Sequence, residues 1–354
     1  MYRFLNDRTM QYATGMFLAT FLFVLLTFVV LRREAEHQFI PRITTLTCVL
    51  LVITSFGMLV AYNHRVANSI QTNDAVAEIV DDLVNVLREL RTQREDSAGV
   101  SGRAATPAEE KEKTEILARL AAVSASILAR RSGYLQMIAR KELLEATVRY
   151  DTVVEILFLP GQFISEGDVI ARVSPAERVE SFAEVLLRGI VVGANRTLQQ
   201  DVEFALAQLV EVALRALSQA INDTFTGLTC IDWLGDAIRM LAALPPSEGL
   251  SYGSDGRVRL IERPLRFSQV VKSAFDQIRR AGTDNPAVMI RLLRTWSRMA
   301  PQLDASQREV LLEQVESIHE LASRQAFSRS DNVEIDAEYQ ATRDLLTGKT
   351  AINL

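Results

Sequence analysis

Side chains capable of metal ligation or acid–base chemistry concentrate between residues 196 and 232. The nine candidates are Arg196, Gln200, Asp201, Glu211, Arg215, Asn222, Asp223, Thr226 and Asp232. Carboxylate oxygens suit magnesium and calcium, so Asp201, Asp223 and Asp232 could together bind a hard cation. The same residue types also form buried hydrogen-bonded networks and helix caps that hold helices in register. We favour this structural interpretation and keep a ligand, metal or catalytic site as the alternative.

Other signatures of enzymes are weak. The sequence contains no HExxH, CxxC or GxGxxG motif, and its three histidines, at positions 37, 64 and 319, are too scattered for a zinc site. Gly348, Lys349 and Thr350 resemble the end of a phosphate-binding loop, but Arg343 occupies the position of its first glycine. We therefore predict no metal and no cofactor, and favour a protein that is not an enzyme.

Two uncharged apolar segments, residues 11–31 and 43–62, flank a short charged stretch. Each is about long enough to cross roughly 30 Å of hydrocarbon at about 1.5 Å per residue, so residues 1–72 are predicted to form a transmembrane helical hairpin. Neither segment carries an ionisable side chain, which disfavours a transporter. Thr20 and Thr27 lie seven residues apart and share a helix face, which could pack against a neighbouring helix or line a narrow pore.

Charge is distributed unevenly along the 354 residues. Residues 1–72 carry six Lys/Arg and three Asp/Glu, whereas the remaining residues carry 33 and 41. An acidic main body disfavours a nucleic-acid partner, and the lipid bilayer is the expected one. An even number of spans places both termini on the same side, and the two widely separated cysteines favour the reducing cytoplasm.

A single apolar stripe follows the second span. Val76, Val80, Leu83, Leu87 and their neighbours recur at three- and four-residue intervals, as on one face of a helix. We interpret residues 73–106 as a helical stalk that ends in a flexible linker of small polar residues. The stripe needs a partner, either another subunit, which would make the protein a homo-oligomer, or the chain's own domain.

Residues 107–195 have the composition of a β-rich module. Short β-branched or alternating runs at 123–129, 134–138, 152–159 and 163–173 are separated by glycine-containing turns. The stretch VVEILFLPGQFISEGDVIARV is similar to the hammerhead half of a biotinyl/lipoyl-type barrel. No lysine occupies the hairpin tip where such a group would be attached, so a small structural barrel or sandwich is predicted.

Residues 196–354 are predicted to form a helical module with one β-hairpin at 247–260. Helices are expected at about 268–281, 285–300, 305–326 and 336–346, with Asn285 and Pro286 as a helix start. The run RTLQQDVEFALAQLVEVALRALSQAINDTFTGLTCID, with GYLQMI, PGQFISEGDVI and FDQIRRAG, resembles the bacterial predicted membrane proteins grouped as domain of unknown function 2254. The resemblance implies a bacterial inner-membrane protein and brings no activity, cofactor or site residue with it.

These observations predict a membrane α-helical hairpin joined to a cytoplasmic α+β part, in which a small β barrel or sandwich precedes a helical bundle. The expected function is that of a multi-pass inner-membrane protein, an oligomeric sensory, scaffolding or channel-like protein with both termini in the cytoplasm. The alternative is a membrane-tethered enzyme or metal-binding protein that uses the polar cluster at 196–232.

Overall fold

A computed structural model describes residues 8–33, 42–69, 72–97, 114–116, 118, 124–245 and 249–349. The chain divides into two compact units, residues 1–75 and residues 76–354, and each is described by itself. Most of the linker predicted before residue 107 lies outside the described residues, as do both ends of the chain.

The first unit is a pair of packed helices, α1 (Arg8–Arg33) and α2 (Arg42–Ser69). Among the described residues, one helix is long and apolar enough to cross a membrane, over Arg42–Val60, and α1 carries a shorter apolar stretch, Gly15–Val29. By length and composition, one of the two predicted spans therefore meets the requirement in full.

The helix α3 (Thr72–Ser97) belongs to the second unit from Val76 onward, and its apolar stripe is buried in the core of that unit. Val76, Val80, Leu83 and Leu87 are buried together with the side chains of the C-terminal helices. Arg94 extends the contact, because its Nη1 donates a hydrogen bond of 2.9 Å to the carbonyl oxygen of Pro245. The partner of the apolar stripe, which the sequence left open, is thus the chain's own domain. The stripe gives no support to a coiled coil between subunits.

In the part of this unit that the structure describes, six longer helices lie after residue 201. They are α6 (Val202–Ala216), α7 (Thr224–Ala242), α8 (Phe267–Ala281), α9 (Pro286–Met299), α10 (Ala305–Ser323) and α11 (Arg329–Leu346), numbered after two short helices, α4 (Arg140–Arg149) and α5 (Val179–Gly189). Their apolar faces form one core, in which the rings of Phe275 and Trp296 meet edge to face at 5.6 Å. The predicted starts and ends agree with these bounds to within a few residues, except that α11 begins earlier.

Among the described residues, eight strands form two sheets. The strands are β1 (Ala125–Leu128), β2 (Gly133–Ile138), β3 (Val153–Ile156), β4 (Phe163–Ile164), β5 (Val169–Ser174), β6 (Ile190–Gly193), β7 (Leu250–Tyr252) and β8 (Val258–Ile261). One sheet has the order β1-β5-β3-β8-β7 and the other the order β4-β2-β6. All pairs are antiparallel except β3 and β8.

This topology shows that the prediction of a small closed barrel is wrong. Within the described part of the chain, β1 and β2 separate into different sheets, and the sheets do not close into one barrel. The β7–β8 hairpin, which follows α7 in the chain, extends the larger sheet beside β3. The fold is therefore mostly helical with mixed sheets, and residues on both sides of position 195 build the same sheet.

Candidate functional site

The start of α6 carries the most deeply buried ion pair among the predicted site residues. Asp201 is 3% exposed and caps α6, because its Oδ1 accepts a hydrogen bond of 2.9 Å from the backbone N–H of Phe204. Arg196 binds the same carboxylate with both arms of its guanidinium, Nε to Oδ2 at 2.7 Å and Nη2 to Oδ1 at 2.8 Å. The hydrogen bonds that Arg196 donates to the Asp201 carboxylate raise the pKa of Arg196 above its ordinary value. The guanidinium also lies 5.2 Å above the ring of Phe204, at cation–π distance.

A glycine turn closes over this carboxylate. Gly161 lies between β3 and β4 with φ +89°, in the left-handed region that disfavours side chains. A Cβ atom at this position would stand 2.0 Å from Asp201 Oδ2. The turn thus approaches Asp201 as closely as it does only because residue 161 has no side chain.

Gln200 links the same helix start to the sheets. Its side-chain amide satisfies both backbone groups of Ile138, accepting from the N–H at 3.0 Å and donating to the carbonyl oxygen at 3.1 Å. Arg140 donates to Gln200 Oε1 at 3.2 Å and binds both carboxylate oxygens of Glu262 at 2.9 Å. Sequence reasoning missed Arg140 and Glu262, which are 122 residues apart and carry no local signal of pairing.

Asp223 and Thr226 form a second, separate group at the start of α7. The Asp223 carboxylate accepts from the Thr226 N–H at 3.1 Å and from its hydroxyl at 2.6 Å, a helix N-cap. The bonds from Thr226 hold the pKa of the Asp223 carboxyl below its usual range. Asn222, just before the cap, is exposed and adopts a positive φ of 51°.

Asp232 belongs to a third group on the surface of α7. Its two carboxylate oxygens accept hydrogen bonds from two arginines of α9, Arg291 Nη1 at 2.7 Å and Arg298 Nη2 at 2.8 Å. The two arginines and the aspartate are all partly exposed. This is an interhelical ion-pair cluster that joins α7 to α9.

The remaining predicted residues lie apart from these groups. Glu211 and Arg215 are exposed on α6, and between these two described residues no ion pair forms. Thr20 and Thr27 lie in the other unit, on the face of α1 that packs against α2. Thr27 Oγ1 donates to the carbonyl oxygen of Phe23 at 2.8 Å and lies 3.8 Å from Cys48 Sγ of α2.

The three aspartate carboxylates of the candidate site accept hydrogen bonds from groups of the protein itself. Asp201, Asp223 and Asp232 each have protein donors, and the described part of the chain contains no group of three or more His, Cys, Asp or Glu side chains that could hold a metal ion. Sequence reasoning took the GxSxG pattern of serine hydrolases to be absent, but residues 249–253 match it. In those enzymes the serine occupies a strand-to-helix turn, whereas Ser251 lies within β7 and pairs with Leu260 of β8.

Comparison with known proteins agrees with the membrane character of the chain. Uncharacterized proteins of Mycobacterium tuberculosis and Mycobacterium bovis are 26% identical to it over 341 residues, which cover 93% of this chain and 62% of theirs. The chain thus spans less than two thirds of the length of these relatives. No solved structure matches it. The family model described as "Predicted membrane protein (DUF2254)" matches residues 1–298, and the chain therefore belongs to this family of predicted membrane proteins.

Proposed function

We propose that this protein is a non-enzymatic, multi-pass protein of the bacterial inner membrane, in which α1 and α2 cross the bilayer as a hairpin. The hairpin anchors residues 76–354 as a cytoplasmic domain with a sensory or scaffolding role. Membership of a family of predicted membrane proteins supports the membrane location, and the candidate span at Arg42–Val60 supports the anchor.

The observation that carries the proposal is the inverted polarity of the helix pair. Two polar side chains are buried in the helix pair, Thr20 at 6% and Ser55 at 8% exposed, while the exposed Thr54 donates to the carbonyl oxygen of Leu50 in its own helix. The large apolar side chains face outward instead, among them Phe17, Phe21, Phe28, Leu46, Leu50 and Phe56. In water each such side chain would forgo about 1.5–3 kcal/mol of burial, whereas in hydrocarbon this is the normal arrangement of packed helices.

The contacts of the polar residues support a structural role for the cluster at 196–232. Each of its three aspartates caps a helix or neutralises arginine, which is how buried or half-buried carboxylates stabilise a fold. The alternative of an enzyme or metal-binding protein gains nothing from these contacts. A channel-like role would require an oligomer, and the α3 stripe that could have formed one lies inside the chain's own core.

Two measurements on the full chain test the anchor and its orientation. Alkaline carbonate extraction of bacterial membranes should leave the protein in the pellet, and its release would refute the spanning hairpin.

A Cys48→Ser, Arg324→Cys variant places an exposed thiol at the end of α10 while Cys230 stays buried. A membrane-impermeant maleimide should label it only after lysis, because the domain faces the cytoplasm, and labelling of intact cells would reverse the orientation.

A further inference from the structure

Three of the exposed large apolar side chains described in the second unit lie on α7 or in the turn before it. Ile221, Phe225 and Trp233 are 54%, 71% and 41% exposed, and Phe225 is the most exposed large apolar residue described in this unit. Phe225 and Trp233 stand eight residues apart, which places them about 80° apart around the helix and about 12 Å apart along it. Ile221 precedes the helix in the turn between α6 and α7. We call these three residues the α7 apolar face.

The fold holds this face in place. Asp223 caps the helix directly between Ile221 and Phe225. The neighbouring Thr224 hydroxyl accepts a hydrogen bond of 3.0 Å from Asn285, which in turn caps α9. The exposure of Phe225 therefore results from two mutually bonded helix starts rather than from a loose loop.

Arginine side chains border the α7 apolar face. Asp232 lies beside Trp233, and its carboxylate is shared by Arg291 and Arg298, so this cluster has two cations for one anion. The other charged pair on α7, Asp236 with Arg239, is neutral overall. Tryptophan and arginine are the side chains that place an apolar body in the bilayer interface and a polar end in the headgroup region.

The chain that joins the candidate span to the second unit is short, so a bilayer lies within reach of this unit. The candidate span ends at Val60, and Val76 is already buried in the core of the second unit. Even fully extended, the chain between them covers at most about 55 Å at about 3.5 Å per residue. A lipid surface is therefore present at high local concentration.

We propose that the α7 apolar face docks onto the interface of the phospholipid bilayer, so that the domain rests on the membrane as well as being tethered to it. Phe225 and Ile221 enter among the upper acyl chains, Trp233 lies at the headgroup level, and Arg291 and Arg298 meet lipid phosphates. This inference rests on the proposed function, because the hairpin must first anchor the chain in the bilayer.

Tryptophan fluorescence of the full chain tests the contact without an added label. The protein has two tryptophans, and Trp296 is fully buried in the helical core, so a lipid-borne quencher reports on Trp233. The chain is reconstituted into vesicles of mixed phosphatidylcholine and phosphatidylglycerol, with and without bromine on the acyl chains. Bromine should reduce the emission of the wild type, and W233F should lose that reduction.

Matched surface variants identify the residues responsible. An I221S/F225S double variant should lose most of the bromine-dependent quenching, since the anchoring side chains are gone. V333S removes an equally prominent apolar side chain, 63% exposed on α11, and should be quenched like the wild type. Because all three positions are exposed, these substitutions should leave the fold intact.

The other outcomes overturn the inference in distinguishable ways. Equal emission from brominated and unbrominated vesicles, with the protein still floating with the lipid, would refute docking and leave the anchor intact. Protection of Trp233 from aqueous acrylamide without any effect of bromine would assign the α7 apolar face to a protein contact, such as a second copy. Failure to float with the vesicles would refute the anchor itself.

Discussion

Replacement of Gly161 by alanine tests whether the turn between β3 and β4 supports the buried carboxylate of Asp201. Gly167 provides the matched control, because it has φ +88° against +89° for Gly161 and nothing lies within 4 Å of a Cβ built on it. Both alanines introduce the same left-handed strain, about 1–2 kcal/mol. Only the alanine at 161 also collides with Asp201, at 2.0 Å from Oδ2.

The expected difference follows from what the collision displaces. A carboxylate pushed off the turn loses the cap on Phe204 N–H, worth about 0.5–2 kcal/mol. It also weakens the charge-assisted bonds to Arg196, each worth about 1.5–3 kcal/mol when intact and less here because the arginine is partly exposed. We therefore expect Gly161→Ala to lower the free energy of unfolding by about 2 kcal/mol more than Gly167→Ala. At about 2–4 °C per kcal/mol, the Tm values should differ by about 4–8 °C.

Thermal unfolding of the full chain in mild detergent, followed by tryptophan fluorescence, measures this difference. The same substitutions in an Asp201→Ala background supply the decisive comparison, since the collision partner is then absent and the two glycine positions should become equivalent. Equal Tm values for Gly161→Ala and Gly167→Ala in the native background would refute the reasoning. So would a Gly161→Ala effect that survives unchanged without the Asp201 carboxylate.

Three further predictions concern individual side chains. Asp201→Ala should lower the free energy of unfolding by about 2–3 kcal/mol, because it removes a buried ion pair and a helix cap. Asp236→Ala, in an exposed pair, should change it by less than about 1 kcal/mol. Comparable losses for the two variants in a denaturant titration would contradict a special role for the buried pair. Because the pKa of Asp223 is lowered in the folded state, its contribution is present above about pH 4, the usual range of an aspartate, and disappears as the pH falls through the lower folded value. Asp223→Ala should thus cost about 1 kcal/mol near neutral pH and almost nothing at acid pH, and a Tm deficit independent of pH would argue against the cap. Burial raises the pKa of Cys230 to about 11. In a Cys48→Ser variant, a thiol reagent at neutral pH should therefore react with Cys230 only after unfolding. Rapid labelling of the folded chain would contradict the buried position.

Local patterns in the sequence predicted most of the secondary structure. The helix expected at 268–281 is α8, Phe267–Ala281, because apolar spacing and helical geometry are both properties of a few consecutive residues. Asn285 and Pro286 start α9 as expected, with the Asn285 side chain accepting from Ala287 N–H at 3.1 Å. The predicted hairpin is β7–β8, where Gly256 supplies a positive φ in the turn.

The partners of these elements could not be predicted in the same way. The stripe on α3 looks the same whether it meets a second subunit or the chain's own helices. The first three runs predicted after position 121 overlap β1, β2 and β3, whereas the run at 163–173 is two strands, β4 and β5, and β6 and the helices α4 and α5 were missed. The barrel was wrong, because β8 joins β3 from about a hundred residues further along the chain. Pairing of that kind depends on backbone hydrogen bonds between distant segments, which periodicity does not encode.

In the candidate site, too, the sequence predicts which residues are present, whereas their partners follow only from the tertiary structure. The sequence alone determined that the chain has a membrane-type apolar segment, an acidic main body and a dense polar stretch at 196–232, since these are matters of composition and spacing. Tertiary structure alone decided that this stretch separates into three groups. Asp201 pairs with Arg196 under Gly161, Asp223 caps its own helix, and Asp232 meets Arg291 from 59 residues away. The physical reason is that a carboxylate's role depends on the donors that the folded chain brings within about 3 Å of it.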